Sequence, residues 1–101
     1  MEIAMTIEKK LENTKLTVFI SGKLNTITSP QLDAELGSLD GITELVLDLE
    51  KLEQITSAGL RVLLNAQCIM EEKGTMVVTH VNEAIREIFE LTGFISFLVI
   101  E

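Results

Sequence analysis

The sequence has no tryptophan and no tyrosine, and its only aromatic residues are four phenylalanines. Any core must therefore be aliphatic, and a hydrophobic fraction of 47% is enough to build one. There is a single cysteine, Cys68, so no disulfide can form within the chain, which fits a reducing compartment. The single histidine, His80, leaves a zinc site without a second imidazole, and Cys68 has no CxxC partner. Six glycines make neither a GxGxxG nor a Walker-type loop, so a nucleotide or small-ligand site has no motif behind it. No cofactor is expected. Basic residues are scarce, with 8 Lys and Arg against 16 Asp and Glu, for a net charge of −8. That balance argues against nucleic acid, whose phosphates demand a basic face, and against an anionic lipid surface. It favours basic surfaces of other proteins. No apolar run approaches the length of a membrane span. The start, MEIAMTIEKK, lacks a basic stretch followed by an apolar one, so no signal peptide is expected there and the expected location is cytoplasmic.

What is present reads as one domain, residues 1–101, alternating strands with helices. Residues 3–9 and 15–21 read as strands. In the second, Leu16, Val18 and Ile20 alternate with Thr17, Phe19 and Ser21, the period of a strand with one buried face. Glu12-Asn13-Thr14 between them is turn-prone, which predicts an antiparallel hairpin. Ser29 before Pro30 predicts a helix capped by Ser29 and ending at Gly37 or Gly41. The nearly continuous apolar run ELVLDL, residues 44–49, predicts a strand covered on both faces, or on one face and one end. A long helix follows over about residues 58–73, with Leu60, Leu63, Leu64, Gln67 and Met70 at helical spacing and Val62, Ala66 and Ile69 widening the stripe. Gly74 suits its end. TMVVTHV, residues 75–81, is another strand, and Asn82 then caps a helix with Ile85, Ile88 and Phe89 on one face. Thr92-Gly93 stops that helix, and FLVI reads as a last short strand. Strands joined through helices are most simply parallel, with right-handed crossovers.

Catalytic chemistry finds little support. His80 reads as a strand-end residue and Cys68 as a small core or boundary residue. Asp48, Glu50 and Glu53 cluster at the end of the third strand, but with no apolar pocket evident beside them they read as a solvated face. No catalytic residue and no metal ligand is assigned, and the chain is not expected to be an enzyme.

The stretch ITSAGLRVLL, residues 55–64, holds the most information. Ser57 stands just before the long helix, at the carboxyl end of a buried strand, where functional loops of open α/β sheets collect. The plainest role for Ser57 is a helix cap worth roughly 1 kcal/mol. The same geometry exposes a hydroxyl to a kinase. A phosphate there adds about −1.5 to −2 charges, which the helix amides can tolerate.

LVLDLEKLEQITSAGLRVLLNAQCIMEEKG resembles the central segment of the STAS domain, in particular the bacterial anti-sigma factor antagonists, also called anti-anti-sigma factors. The family loop, D-S-[ST]-G-L or S-S-A-G-L, appears here as Thr56-Ser57-Ala58-Gly59-Leu60, and GKLNTITSPQL resembles the second-strand end and short helix before it. The resemblance spans essentially the whole chain. It implies an α/β fold: a single STAS-like domain with a mixed sheet of about four to five strands, an antiparallel N-terminal hairpin and about three to four helices packed mainly on one side. It also implies a regulator of transcription that binds an anti-sigma factor serine kinase, frees a sigma factor, and is switched off by phosphorylation at the residue aligned with Ser57. A serine phosphatase would reverse the modification. Thr56 is a secondary candidate acceptor. Asn25, Thr26, Thr56, Ser57, Gly59 and Arg61 are expected at the docking edge. Thr56 and Asn25 stand where many phosphorylated members carry aspartate. A chain that keeps the fold and drops the switch, a constitutive interaction module of a signalling or transport assembly, is the alternative. A monomer or weak dimer is expected.

Overall fold

The computed structural model describes residues 5–37 and 39–101. In chain order the elements are β1 (Met5–Glu12), β2 (Lys15–Leu24), α1 (Ser29–Glu35), β3 (Glu44–Asp48), β4 (Leu52–Ile55), α2 (Ser57–Lys73), β5 (Thr75–Thr79) and α3 (Glu83–Thr92), followed by a single 3₁₀ turn over Phe94–Ser96. The expected first strand began two residues earlier, outside the described residues. β1 and β2 form the antiparallel hairpin, with Glu12 paired to Lys15 across a two-residue turn. Asn13 in that turn takes a φ of 57°, a left-handed conformation that asparagine tolerates better than most residues. The sheet order is β1-β2-β3-β5, and β4 also pairs with β2; β2, β3, β4 and β5 are mutually parallel.

Side-chain alternation decides which sheet face is covered. The register aligns Val18 with Leu47 and Leu47 with Val78, a row lying wholly inside the core. On the opposite face the aligned residues Thr17, Val46 and Val77 are half-buried, and Phe19 is 37% exposed. The helices therefore pack over one face only, and β3 is covered on one side rather than both. α2 contributes Gly59, Leu60, Val62, Leu63, Ala66 and Met70 to the core, and α3 contributes Ile85 and Phe89. At about 100° per residue this stripe on α2 centres on Leu63, Ala66 and Met70. Leu64 and Ile69 fall on its margins, half-buried and exposed respectively, and Cys68 is exposed rather than a core or boundary residue. Gln67 lies within the stripe, and its buried Oε1 has no hydrogen-bond partner.

Three local features differ from the sequence reading. Ser29 does not cap α1; it is the first helical residue, 5% exposed, and the preceding turn already runs helically, with Ser29 N donating to Asn25 O at 2.8 Å. The segment after β3 forms a further strand, β4, because β2 is long enough to pair with two successive strands. β3 aligns with Lys15–Phe19 and β4 with Gly22–Leu24. FLVI contributes a single bridge, Val78 to Ile100, and its first residue is spent closing the 3₁₀ turn, with Phe97 N donating to Phe94 O at 2.9 Å. Gly74 ends α2 as expected, and its reason is close approach: a Cβ there would sit 1.9 Å from the carbonyl oxygen of Thr43. Asn82 behaves as expected. Its Oδ1 accepts from Ile85 N at 3.0 Å, and its Nδ2 also donates to Leu52 O at 2.7 Å, tying α3 to β4.

Candidate partner-docking site

The parallel pairing of β2 with β4 aligns Leu24 with Ile55, so the loops after the two strands leave the sheet side by side. Thr56 N donates to Leu24 O at 3.0 Å and joins them directly. The first loop is shaped by Asn25, whose Oδ1 accepts from Ile27 N at 2.9 Å and Thr28 N at 3.0 Å. Thr28 Oγ1 donates to Lys23 O at 2.7 Å and accepts from Asn25 N at 2.9 Å. These bonds satisfy the backbone of a tight turn and push Thr26 and Ile27 outward, Ile27 to 84% exposure.

The second loop is a single residue. Thr56 is extended at the start of α2, and its C=O accepts from Leu60 N at 2.9 Å. That bond makes Thr56 the boundary residue and Ser57 the first residue of the helix, one position further in than the expected cap. Neither hydroxyl caps. Thr56 Oγ1 is buried without a partner, whereas Ser57 is exposed and its hydroxyl makes no hydrogen bond among the described residues. The amides of the first helical turn have no intrahelical partner and carry the positive end of the helix dipole beside that hydroxyl.

Gly59 sits under this corner. A Cβ on it would meet Leu24 Cγ at 2.7 Å and Ile55 Cγ1 at 2.9 Å, so glycine lets the helix start approach the ends of β2 and β4. Arg61 follows Ser57 by one helical turn on the same side of α2 and is exposed. Ser57, Leu60, Arg61 and Leu64 of α2, with Thr92 and Phe94 at the end of α3, line a largely apolar pocket of about 290 Å³. All six residues expected at the docking edge thus lie on the two adjoining loops or the first five residues of α2, although Thr56 presents no hydroxyl and Asn25 spends its side-chain oxygen within its own loop.

A scan of family models matches residues 6–100 to the model described as Mlab, STAS domain. The chain belongs to the STAS-domain family. Over 84 residues it is 39% identical to BtrV of Bordetella bronchiseptica, a protein named as a candidate anti-sigma factor antagonist, covering 80% of this chain and 72% of that one. The fold is similar to the crystal structure of an anti-sigma factor antagonist from Mycobacterium paratuberculosis, with a TM-score of 0.86, 24% identity, and coverage of 95% of this chain and 84% of that one. It is also similar to the Bacillus cell fate determinant SpoIIAA in its phosphorylated form, with a TM-score of 0.75, 15% identity, and coverage of 95% and 91%.

Sequence reasoning missed two groups of residues in this STAS domain. Thr92 and Phe94 complete the pocket beside Ser57, yet the sequence marks them only as the end of a helix. Asp48 belongs to the acidic cluster that the sequence places on a solvated face. Glu50 and Glu53 are indeed exposed, but Asp48 Oδ2 lies 2.9 Å from His80 Nδ1, and Asp48 Oδ1 accepts from Glu50 N at 3.0 Å. The neighbouring ends of β3 and β5 bring that pair together. Among the described residues no group of three or more His, Cys, Asp or Glu side chains is arranged to hold a metal ion, and no helix is long and apolar enough to cross a membrane.

Proposed function

We propose that this STAS domain is an anti-sigma factor antagonist. It binds an anti-sigma factor that is also a serine kinase and so frees the sigma factor. The kinase transfers the γ-phosphoryl group of ATP to Ser57 Oγ, with release of ADP and loss of the hydroxyl proton, and the antagonist is then inactive. A serine phosphatase restores it. Nucleotide and magnesium belong to the kinase, and the antagonist contributes a docking edge and an acceptor rather than catalysis. The setting is cytoplasmic.

The observation that carries this reading is the contrast between neighbouring hydroxyls. Ser57 stands in solvent at the start of α2, and Thr56 Oγ1 is buried. That contrast favours Ser57 over Thr56 as acceptor. The 39% identity to a candidate antagonist supports the partner class. An interface that covers Ser57 would have to desolvate a dianion once the phosphate is added, at an effective cost of several kcal/mol. A cost of about 4 kcal/mol weakens binding a thousandfold.

Incubation with the cognate kinase and ATP, followed by peptide mass spectrometry, should find the phosphate on Ser57. Ser57→Asp should weaken binding while Ser57→Ala keeps it. An unmodified Ser57 together with unchanged binding by Ser57→Asp would remove the switch. The second reading, a constitutive STAS module in a signalling or transport assembly, rests on Thr56 and Asn25 standing at positions where aspartate is common. Recovery of scaffold or transporter subunits without a kinase in a pull-down would favour it.

A further inference from the structure

Arg61 borders two cavities, one almost wholly apolar and one of mixed lining with a single carboxylate. On one side lies the apolar pocket it shares with Ser57, Leu64 and Phe94. On the other is a shallow groove between α1 and α2, which it shares with Asp33, Pro30 and Asn65. The guanidinium has no carboxylate within 4.0 Å among the described residues, and the residue is exposed, so nothing pins it to either side.

We propose that Arg61 is a two-position arm that reads the state of Ser57. With the hydroxyl free, the arm leaves the apolar pocket open. With a phosphate on Ser57, it swings to the phosphate, and its aliphatic stem lies across the pocket mouth and closes it. This inference rests on the reading of Ser57 as a phosphate acceptor and adds how the modification changes the surface.

Residues four apart on a helix face one another, so the arm reaches the new group without moving the backbone. The competition is unequal. Asp33 offers one exposed carboxylate across the groove, whereas a phosphoserine offers up to two charges and three acceptor oxygens. The planar guanidinium fork matches phosphate oxygens in pairs. Arginine methylenes settle readily on apolar surface while the charged head stays wet, and Leu64 and Phe94 supply that surface. The dianion and the closed pocket then act together. A partner meets a charged, filled face where it had met an open apolar one.

The test needs no kinase. Phosphoserine is inserted at position 57 during translation by an expanded genetic code, in the otherwise native chain and in the Arg61→Gln variant. Arg61 is exposed, so the variant is expected to fold, and its thermal melt checks this. In ³¹P NMR titrations a neighbouring cation favours the dianion. The second ionisation of the phosphate should therefore lie lower in the otherwise native chain than in the Arg61→Gln variant, by roughly 0.3 unit or more, the size expected of an exposed pair four residues apart. Equal values would overturn the proposal. Nuclear Overhauser contacts from the Arg61 methylenes to the Phe94 ring should strengthen on phosphorylation, and equal intensity in the two states would also overturn it. If a cognate kinase leaves Ser57 unmodified, the function proposed above fails, whereas these two measurements stand or fall independently.

Discussion

Thr56 and Ser57 carry nearly the same chemistry one residue apart, and the fold treats them oppositely. Thr56 is tied through its backbone to Leu24 and Leu60, which leaves its hydroxyl buried and without a partner. A buried polar group without a hydrogen bond costs free energy, so the isosteric Thr56→Val should be neutral or stabilising by up to about 1 kcal/mol in urea denaturation. A loss above that size would mean the hydroxyl has a partner in solution. Ser57 makes no capping bond, so Ser57→Ala should stay within about 0.5 kcal/mol of the parent chain, the range of surface substitutions. The sequence alone suggested a cap worth roughly twice that. Which residue begins the helix depends on where β4 releases the chain, and no local signal encodes it.

At the level of elements, the site exists because α2 starts hard against the ends of two parallel strands. Gly59 makes that possible. Gly59→Ala would drive a methyl into Leu24 and Ile55, and the expected loss is about 1–3 kcal/mol, read as a lower urea midpoint. Because the same contact seats the loop of Asn25 beside Ser57, this variant should also weaken partner binding more than Ser57→Ala does. A Gly59→Ala chain with unchanged midpoint and unchanged binding would show that the helix start has room to shift. Elements with strong periodicity were legible. β2, α2, β5 and α3 appear where alternation or helical spacing puts them, and Asn82 caps as its type suggests. β4 was not legible, because four residues reading Leu-Glu-Gln-Ile show no sustained alternation and gain strand character only from the long partner β2. The final FLVI segment failed for the converse reason. Its composition favours a strand, but Phe97 closes the 3₁₀ turn and the segment makes a single bridge, at Ile100.

For the whole molecule, covering one sheet face with helices gathers the loops after β2 and β4 and the end of α3 at one corner, where Ser57 sits. The net charge of −8 is a property of the entire surface and acts at long range. If it steers a basic partner to that corner, the association rate should fall as salt is raised from low to physiological ionic strength, with a much smaller change in dissociation rate. Stopped-flow association with the anti-sigma factor measures this, and a salt-independent rate would rule out steering. The residues of the chain were enough to determine the class of fold, the serine worth watching and the poverty of catalytic groups, because spacing, composition and motif are local quantities. Only the tertiary structure decided that the Ser57 side chain faces water while the Thr56 hydroxyl is buried, that Phe94 walls the pocket beside Ser57, and that Arg61 stands between that pocket and the groove holding Asp33. Those relations join residues far apart in the chain, and they arise from strand register and helix packing, which no short window of sequence contains.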